Sequence, residues 1–187
     1  DLESVSSQTV TEVLSADDNS TYSQLSTEIS QSGNVKLTHK NYVYDNSDPI
    51  SISEDNKVID GNGAVIDMAG STIRAFDVIA NGVTIKNLTI KNANYWENGG
   101  AIKFAGGSGA VINCNFIKNN AKNGGAIYMD SGTVTNCNFT DNTAYNSGAV
   151  YFRETGTAIN CNFTANQATV DGGAVYFYNR GTVTNCN

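Results

Sequence analysis

The sequence predicts an all-β fold, a parallel β-helix solenoid with about 24 residues per coil. Two observations carry this prediction. Two short motifs alternate along the chain at a nearly constant spacing, and the segments between them are short, rich in β-branched residues and interrupted by Gly and Asn. A repeat of about 20 to 50 residues is typical of solenoids, and short β-branched segments favour strands over paired helices.

A glycine pair and an Asn-Cys-Asn triplet define the repeat. The glycine motif is Gly-Gly-Ala-Ile or a close variant, at residues 99–102, 124–127, 147–150 and 172–175. The triplets have spacings of 23, 24 and 25 residues and centre on Cys114, Cys137, Cys161 and Cys186. One coil therefore contains one copy of each motif. Leucine-rich repeats have a similar period, but their regular Leu positions are missing here.

Alternation within a coil predicts which side chains face the interior. In the segment 83–90, Val83 and Ile85 face inwards, Asn87 occupies a bend, and Ile90 faces inwards on the next side. The same phase predicts a bend column at Asn87, Asn113, Asn136, Asn160 and Asn185, and an inward phenylalanine column at Phe116, Phe139 and Phe163. Asn tolerates the left-handed conformation that such bends require.

The four cysteines are expected to form one buried column: Cys114, Cys137, Cys161 and Cys186. Neighbours would lie about 4.8 Å apart and the outermost pair on the order of 14 Å apart, so the four cannot surround one zinc ion. A stack of free thiols is the favoured interpretation, and disulfides between neighbouring coils are the alternative. We expect neither a metal nor a cofactor.

Composition and charge restrict the class of partner. The chain has 187 residues, of which 16% are charged, and a formal net charge of −7. Nucleic acids and anionic membrane surfaces require clustered Lys and Arg, so we expect neither as a partner. No apolar run is long enough to insert into a membrane.

Acidic residues are concentrated in the amino-terminal third. Residues 1–60 hold 11 acidic and 3 basic residues, whereas residues 61–187 hold 7 and 8. We expect a flexible acidic tail at residues 1–20, an amino-terminal cap at residues 21–55 and β-helix coils at residues 56–187. The last coil stops partway, so we expect truncation at the carboxy terminus.

A short helix is predicted at the start of the cap. Tyr22, Leu25 and Ile29 have helical spacing, Ser20 is the expected N-cap and Gly33 the expected stop. An open β-helix end exposes unpaired backbone and apolar side chains. We therefore expect this helix to lie across that end.

The two repeat motifs carry a resemblance to known families. Gly-Gly-Ala-Ile/Val alternates with Phe-x-x-Asn at residues 116–119, 139–142 and 163–166, which resembles the repeats of chlamydial polymorphic outer-membrane proteins. Residues 21–187, with Ile-Asp-Gly-Asn-Gly and Asn-Leu-Thr-Ile-Lys-Asn segments, resemble the adhesin-like surface proteins of methanogenic archaea. The resemblance implies a right-handed, pectin-lyase-like β-helix displayed on a cell surface for attachment. It supplies no catalytic residues.

An outward column of tyrosines is the predicted contact surface for a ligand or partner: Tyr128, Tyr151 and Tyr176. Lys103 occupies the same column in the preceding coil, and an unpaired Lys cannot lie in a dry interior, so the column should face solvent. Asp130 and Arg153 are expected to flank it. Aromatic rings there could stack on sugars or anchor a protein. Stacking that only stabilises the sheet is the alternative.

Three Asn-x-Ser/Thr sequons are expected to be accessible glycosylation sites, as suits an extracellular protein: Asn19, Asn138 and Asn162.

The expected function is non-enzymatic attachment, as an adhesin or stalk, to the glycans or proteins of another cell. Copies of the chain are a further expected partner, through the uncapped coil end. The alternatives are a polysaccharide-active enzyme and a structural subunit of an envelope layer or fibre. Enzymes of this fold need clustered carboxylates and a basic residue in a groove. The one His, His39, precedes the repeats and is expected to be an ordinary surface residue.

Overall fold

The computed structural model describes residues 18–187, and these residues form a right-handed parallel β-helix of about seven turns with about 24 residues per turn. The fold class and the period predicted from the sequence are therefore confirmed. Most of the predicted acidic tail, residues 1–17, lies outside the described residues. Asn19 and Ser20, which the sequence assigns to that tail, lie instead in a strand.

The described residues form one helix, α1 (Tyr22–Ile29), and short strands. The strands are β1 (Asn19–Thr21), β2 (Val35–Lys36), β3 (Asn41–Val43), β4 (Ile50–Ile52), β5 (Val58–Asp67), β6 (Phe76–Val78), β7 (Thr84–Lys91), β8 (Ile102–Ile112), β9 (Asn115–Ile117), β10 (Asn120–Asn123), β11 (Ile127–Thr135), β12 (Asn138–Thr140), β13 (Thr143–Asn146), β14 (Val150–Ile159), β15 (Asn162–Thr164), β16 (Gln167–Asp171), β17 (Val175–Phe177) and β18 (Arg180–Thr184).

Equivalent strands of successive coils pair in parallel, so that equivalent residues lie beside each other along the solenoid axis. β8, β11 and β14 are neighbours on one long path, and β9, β12 and β15 pair on the next side of the coil. A separate three-stranded sheet of β10, β13 and β16 forms a further side. Each position of the repeat thus becomes a column of side chains.

The predicted asparagine bend is present. All five members have left-handed backbones, with φ between 51 and 58°: Asn87, Asn113, Asn136, Asn160 and Asn185. Their amides also bond along the axis, since Nδ2 of Asn113 donates to Oδ1 of Asn87 at 3.3 Å and Nδ2 of Asn160 donates to Oδ1 of Asn136 at 3.2 Å.

A second column of asparagines, which we call the inner ladder, points into the solenoid: Asn119, Asn142 and Asn166. Asn119 and Asn142 are fully buried, and Asn166 is partly buried. Nδ2 of Asn142 donates to the carbonyl of Phe116 at 2.9 Å and to Oδ1 of Asn166 at 3.0 Å. Oδ1 of Asn142 accepts from both the backbone N–H and Nδ2 of Asn119, each at 3.0 Å. These bonds explain the Phe-x-x-Asn motif, because the Asn satisfies a backbone carbonyl of the preceding coil.

The glycine pair turns the chain from the three-stranded sheet into the next long strand. Gly124 has φ of +66°, where an L side chain is strained. At Gly125 a Cβ would overlap the carbonyl oxygen of Gly148 in the following coil. The first glycine therefore permits the turn, and the second permits close stacking of coils.

Apolar columns fill the interior. Phe116, Phe139 and Phe163 stack with ring centroids 5.1 and 5.0 Å apart and nearly parallel planes. We call these three rings the phenylalanine stack. Its central ring, Phe139, has no exposed surface. Such stacking adds directional contacts to the apolar burial that stabilises the core.

The four cysteines are free thiols. Cys114, Cys137 and Cys161 are buried, whereas Cys186 is only partly buried because it lies in the last coil, so the predicted burial is wrong for that residue. Contact with the neighbouring thiol, followed by burial, raises the pKa of Cys161 above its ordinary value. Its Sγ lies 3.3 Å from the carbonyl oxygen of Ile159.

The helix α1 begins one residue later than predicted. Thr21, not Ser20, is the N-cap, and its Oγ1 accepts from the N–H of Gln24 at 3.2 Å. The apolar face of α1 is buried as its spacing predicts, and the hydroxyl of Tyr22 donates to the carbonyl of Ala75.

A buried carboxylate ties α1 to the first coils. Glu28 accepts from the N–H of Thr38 at 2.9 Å, from the hydroxyl of Tyr42 at 3.0 Å, and contacts Nδ1 of His39 at 3.0 Å. Burial alone would raise the pKa of Glu28, but these hydrogen bonds outweigh it and lower the pKa. His39 is therefore a half-exposed partner of Glu28 rather than a solitary surface residue.

A second carboxylate binds the start of α1. Asp45 accepts from the backbone N–H of Ser23 at 3.2 Å and from its hydroxyl at 2.5 Å. The hydroxyl of Ser47 donates to the same carboxylate. These hydrogen bonds, led by the Ser23 hydroxyl, lower the pKa of Asp45 to about 2.

Truncation of the phenylalanine stack should destabilise the protein strongly. Phe139→Ala removes the central ring, and the coils on either side cannot collapse into the space, so we expect the free energy of unfolding to fall by about 3 to 5 kcal/mol. Ile112→Ala, at a half-buried outward position, is the matched control and should cost far less. Equal losses in urea unfolding would show that the inward and outward assignment is wrong.

Acid should loosen the amino-terminal cap. The pKa values of Glu28 and Asp45 lie below their ordinary values of 4.5 and 3.8, so their stabilisation is present at neutral pH and is lost as the pH falls through this range towards 2. We expect the thermal midpoint to fall over that window. In Glu28→Gln the midpoint should be lower at pH 7 and should fall less on acidification. An unchanged pH profile in that variant would exclude a role for Glu28.

Candidate functional site

The predicted tyrosine column is only partly exposed. Tyr128 is only 7% exposed, and Tyr151 and Tyr176 are half-buried. The rings stack on one another at 5.3 and 5.2 Å, with interplanar angles of 9° and 29°. The prediction of an exposed column is therefore wrong for Tyr128, which lies between Lys103 and Tyr151 on the neighbouring strands. Burial raises the pKa of Tyr128, and the Asp130 carboxylate adds to the effect.

The two polar residues expected beside this column contact each other. Nη1 of Arg153 lies 3.5 Å from Oδ1 of Asp130, and Nε of Arg153 lies 3.5 Å from a carboxylate oxygen of Glu154. Arg153 lies close enough to Tyr128 to oppose the rise in the pKa of that residue. Its charge is already shared between two carboxylates.

The sequon asparagines lie on the outer surface. Asn138 and Asn162 are exposed and form a ladder with Asn115, in which Nδ2 of Asn138 donates to Oδ1 of Asn115 at 2.8 Å and Nδ2 of Asn162 donates to Oδ1 of Asn138 at 2.9 Å. Asn19 is exposed at the start of β1. Glycosylation of these three residues stays a prediction.

A groove lies on a different side of the solenoid, over the three-stranded sheet. Its volume is about 490 Å³, within the range of ligand sites. Its lining comes from three strands and the segment before them: Trp96, Asn120, Ala121, Lys122, Thr143, Ala144, Tyr145 and Thr169. We call it the Trp96 groove.

Two large aromatic side chains stand exposed in this groove. Trp96 is 82% exposed and Tyr145 is 52% exposed. The floor beside them is formed by Ala121 and Ala144, which lie in register on neighbouring strands and are 5% and 7% exposed. Small floor residues leave room for a ligand between the aromatic rings.

Unequal segment lengths distinguish the two end coils of the groove from the two coils between them. Between Asn94 and Asn98 the chain has three residues, whereas their bridge partners in the next coil, Asn120 and Asn123, enclose two. The extra residue makes a bulge, which turns a side chain outwards, and Trp96 lies in it. A second register shift lies between β13 and β16, beside Thr169. The two coils between these bulges form the floor.

Polar columns of hydrogen-bonded side chains border the floor. On one side, Nδ2 of Asn120 donates to Oδ1 of Asn94 at 2.7 Å, and the hydroxyl of Thr143 donates to Oδ1 of Asn120 at 2.9 Å. On the other side, Nδ2 of Asn123 donates to Oδ1 of Asn98 at 2.7 Å, and Nδ2 of Asn146 continues the column at 2.8 Å. Each of these amides uses one N–H and retains a second donor.

Lys122 supplies a positive charge in the groove. Among residues 18–187, no carboxylate lies within 4.0 Å of its ammonium group. The backbone carbonyl of Glu97, in the preceding coil, accepts from the backbone N–H of Lys122 at 2.7 Å. The carboxylate of Glu97 accepts from the hydroxyl of Tyr95 and not from Lys122. The Lys122 side chain therefore retains its donors for a ligand.

Sequence reasoning missed this site. The signal lay in the segment before the glycine motifs, because Lys122 and Tyr145 each lie two residues before the first residue of such a motif. Trp96 lies one residue earlier in its own coil, so the alignment of the repeats does not place it in one column with Lys122 and Tyr145. The chain has no second Trp to draw attention to the repeat.

The groove combines apolar ring faces with fixed donors and acceptors. This combination binds a ligand that has both apolar C–H faces and hydroxyl groups. Within the part of the chain that the structure describes, His, Cys, Asp and Glu side chains form no group of three that could hold a metal ion. No helix among residues 18–187 has the length and apolar character needed to cross a bilayer.

Comparison with known proteins agrees with the architecture. Residues 18–187 match the family model described as the right handed beta helix region. Neither the curated proteins nor the solved structures that were compared include a match. Because the family match extends over the whole solenoid, the chain belongs to the right-handed β-helix family.

Proposed function

We propose that this chain is a non-enzymatic, extracellular protein of a cell surface that mediates attachment, and that the Trp96 groove binds glycans. The observation that carries the proposal is the pair of exposed aromatic residues, Trp96 and Tyr145, above a floor of small side chains. The resemblance of the repeats to adhesin-like surface proteins of methanogenic archaea supports the same function.

Exposed aromatic rings at a fixed spacing suit sugars. A pyranose ring has an apolar face of C–H groups, which packs on an aromatic ring, and an edge of hydroxyl groups, which needs hydrogen-bond partners. In the groove, Trp96 and Tyr145 supply the first kind of contact. Lys122, Asn120 and Thr143 supply the second.

The surrounding solenoid keeps the groove rigid. The floor strands are held by parallel pairing and by the hydrogen-bonded columns at their borders, so little ordering is required when a ligand binds. A shallow site of this size supports modest affinity for each copy. Many copies on one cell would raise the apparent affinity by roughly 100-fold or more through effective concentration.

A glycan array and whole-cell binding test this function directly. We expect the purified chain to bind at least one class of glycan, and Trp96→Ala with Tyr145→Ala to weaken that binding at least tenfold, about 1.4 kcal/mol. Tyr178→Ala is the matched control, since Tyr178 is 69% exposed but lies outside the groove. The variants change exposed side chains, so circular dichroism should be unchanged.

Two other outcomes would redirect the proposal. If replacement of Tyr128, Tyr151 and Tyr176 by Ser abolishes attachment in a folded protein while the Trp96 variant binds normally, the tyrosine column is the contact surface. If incubation with polysaccharides releases shorter products, the chain is an enzyme. Absence of binding to every glycan and cell would favour a structural subunit of an envelope layer or fibre.

A further inference from the structure

The spacing of the two aromatic residues restricts the kind of glycan that fits. Trp96 lies in the coil before Lys122, and Tyr145 lies in the coil after it, opposite Lys122 in the register of β10 and β13. Two coil spacings separate the aromatics, about 10 Å along the axis, since each coil advances by about 4.8 Å. Stacked rings elsewhere in the solenoid, 5.0 to 5.3 Å apart, show the same advance per coil.

An extended pyranose chain with equatorial linkages has a matching repeat. Each ring in such a chain advances by about its own length, which is close to the coil spacing of about 4.8 Å. Successive rings are rotated by half a turn, so that alternate rings present the same face. Two alternate rings could therefore pack on Trp96 and Tyr145 at once. Chains with axial linkages curve, and their alternate rings do not keep this spacing.

We propose that the Trp96 groove binds an extended, β-1,4-linked hexopyranose chain lying along the solenoid axis, with alternate rings on Trp96 and Tyr145 and the intervening ring beside Lys122. This inference rests on the proposed function, which it makes specific. The intervening ring would turn its hydroxyl edge towards the ammonium group of Lys122 and the second N–H of Asn120.

The fluorescence of Trp96 reports on binding, because Trp96 is the one Trp in the chain and it lines the groove. The probes are β-1,4-linked oligomers of glucose, N-acetylglucosamine and mannose, two to five rings long, with α-1,4-linked glucose oligomers of the same lengths as the control. Titrations follow Trp96 emission, and calorimetry gives the affinity of variants that lack Trp96.

We expect at least one β-1,4-linked series to bind, to shift Trp96 emission to shorter wavelength, and to gain about tenfold in affinity between two and three rings. Further rings should add little. In Trp96→Ala and in Tyr145→Ala the gain at the third ring should disappear, whereas Tyr178→Ala should retain it. Lys122→Ala should weaken binding of the trisaccharide several-fold, and Lys36→Ala, at an exposed site in the first coils, should not.

Different results would contradict the proposed axial chain and the proposed glycan-binding function. Binding of α-linked oligomers as tightly as β-linked ones, or a β-linked series without a step at the third ring, would overturn the axial chain while retaining a glycan-binding groove. Binding only of other glycans from the array, with loss in Trp96→Ala, would do the same. If no glycan binds at all, the proposed function itself fails.

Discussion

The amides of the inner ladder, Asn119, Asn142 and Asn166, join successive coils at the corner that leads into the three-stranded sheet. Each amide both donates to and accepts from neighbouring coils, and Asn142 alone bonds Phe116, Asn119 and Asn166. A polar side chain inside a dry core is tolerated only when its donors and acceptors are satisfied, and here satisfaction requires the coils to stack in register. The phenylalanine stack beside this ladder depends on the same register, since its rings can lie face to face only when equivalent residues align.

Because the coils stack in register, the sequence repeat also produces a surface on which equivalent side chains recur at a regular spacing along the axis. A residue that occupies one position in each coil becomes a column along the axis, and the Trp96 groove uses this geometry with two local changes. The segments of Trp96 and Thr169, at the two ends of the groove, each contain one extra residue. The unshifted coils between them form a floor of Ala121 and Ala144. The same fold can therefore provide a binding site without a separate domain, and the proposed ligand repeats along the axis as the coils do.

Periodicity predicted the features that recur in every coil, and it could not predict those that depend on a single coil. The asparagine bend, the phenylalanine column and the glycine turns follow from alternation and from the backbone conformations that Asn and Gly adopt.

The Trp96 groove was not predicted, because it requires one-residue bulges, which move Trp96 out of the column that contains Lys122 and Tyr145. Tyr128 was expected at the surface from the neighbouring Lys103, but exposure also depends on what stacks above and below a ring. The N-cap of α1 differed by one residue because Ser20 and Thr21 are both suitable caps and only strand pairing of β1 decides between them.

Urea unfolding of two leucine variants in one coil tests most directly whether the inner ladder holds the solenoid together. Asn142→Leu preserves the approximate size of a buried side chain but leaves the Phe116 carbonyl and the Asn119 N–H without their partner, so the free energy of unfolding should fall by about 3 kcal/mol or more. Asn138→Leu makes the same change in the exposed ladder of that coil, where water replaces the lost bonds, and should cost about 0.5 kcal/mol or less. Equal, small losses in both variants would contradict the account, because they would show that apolar stacking alone sets the register.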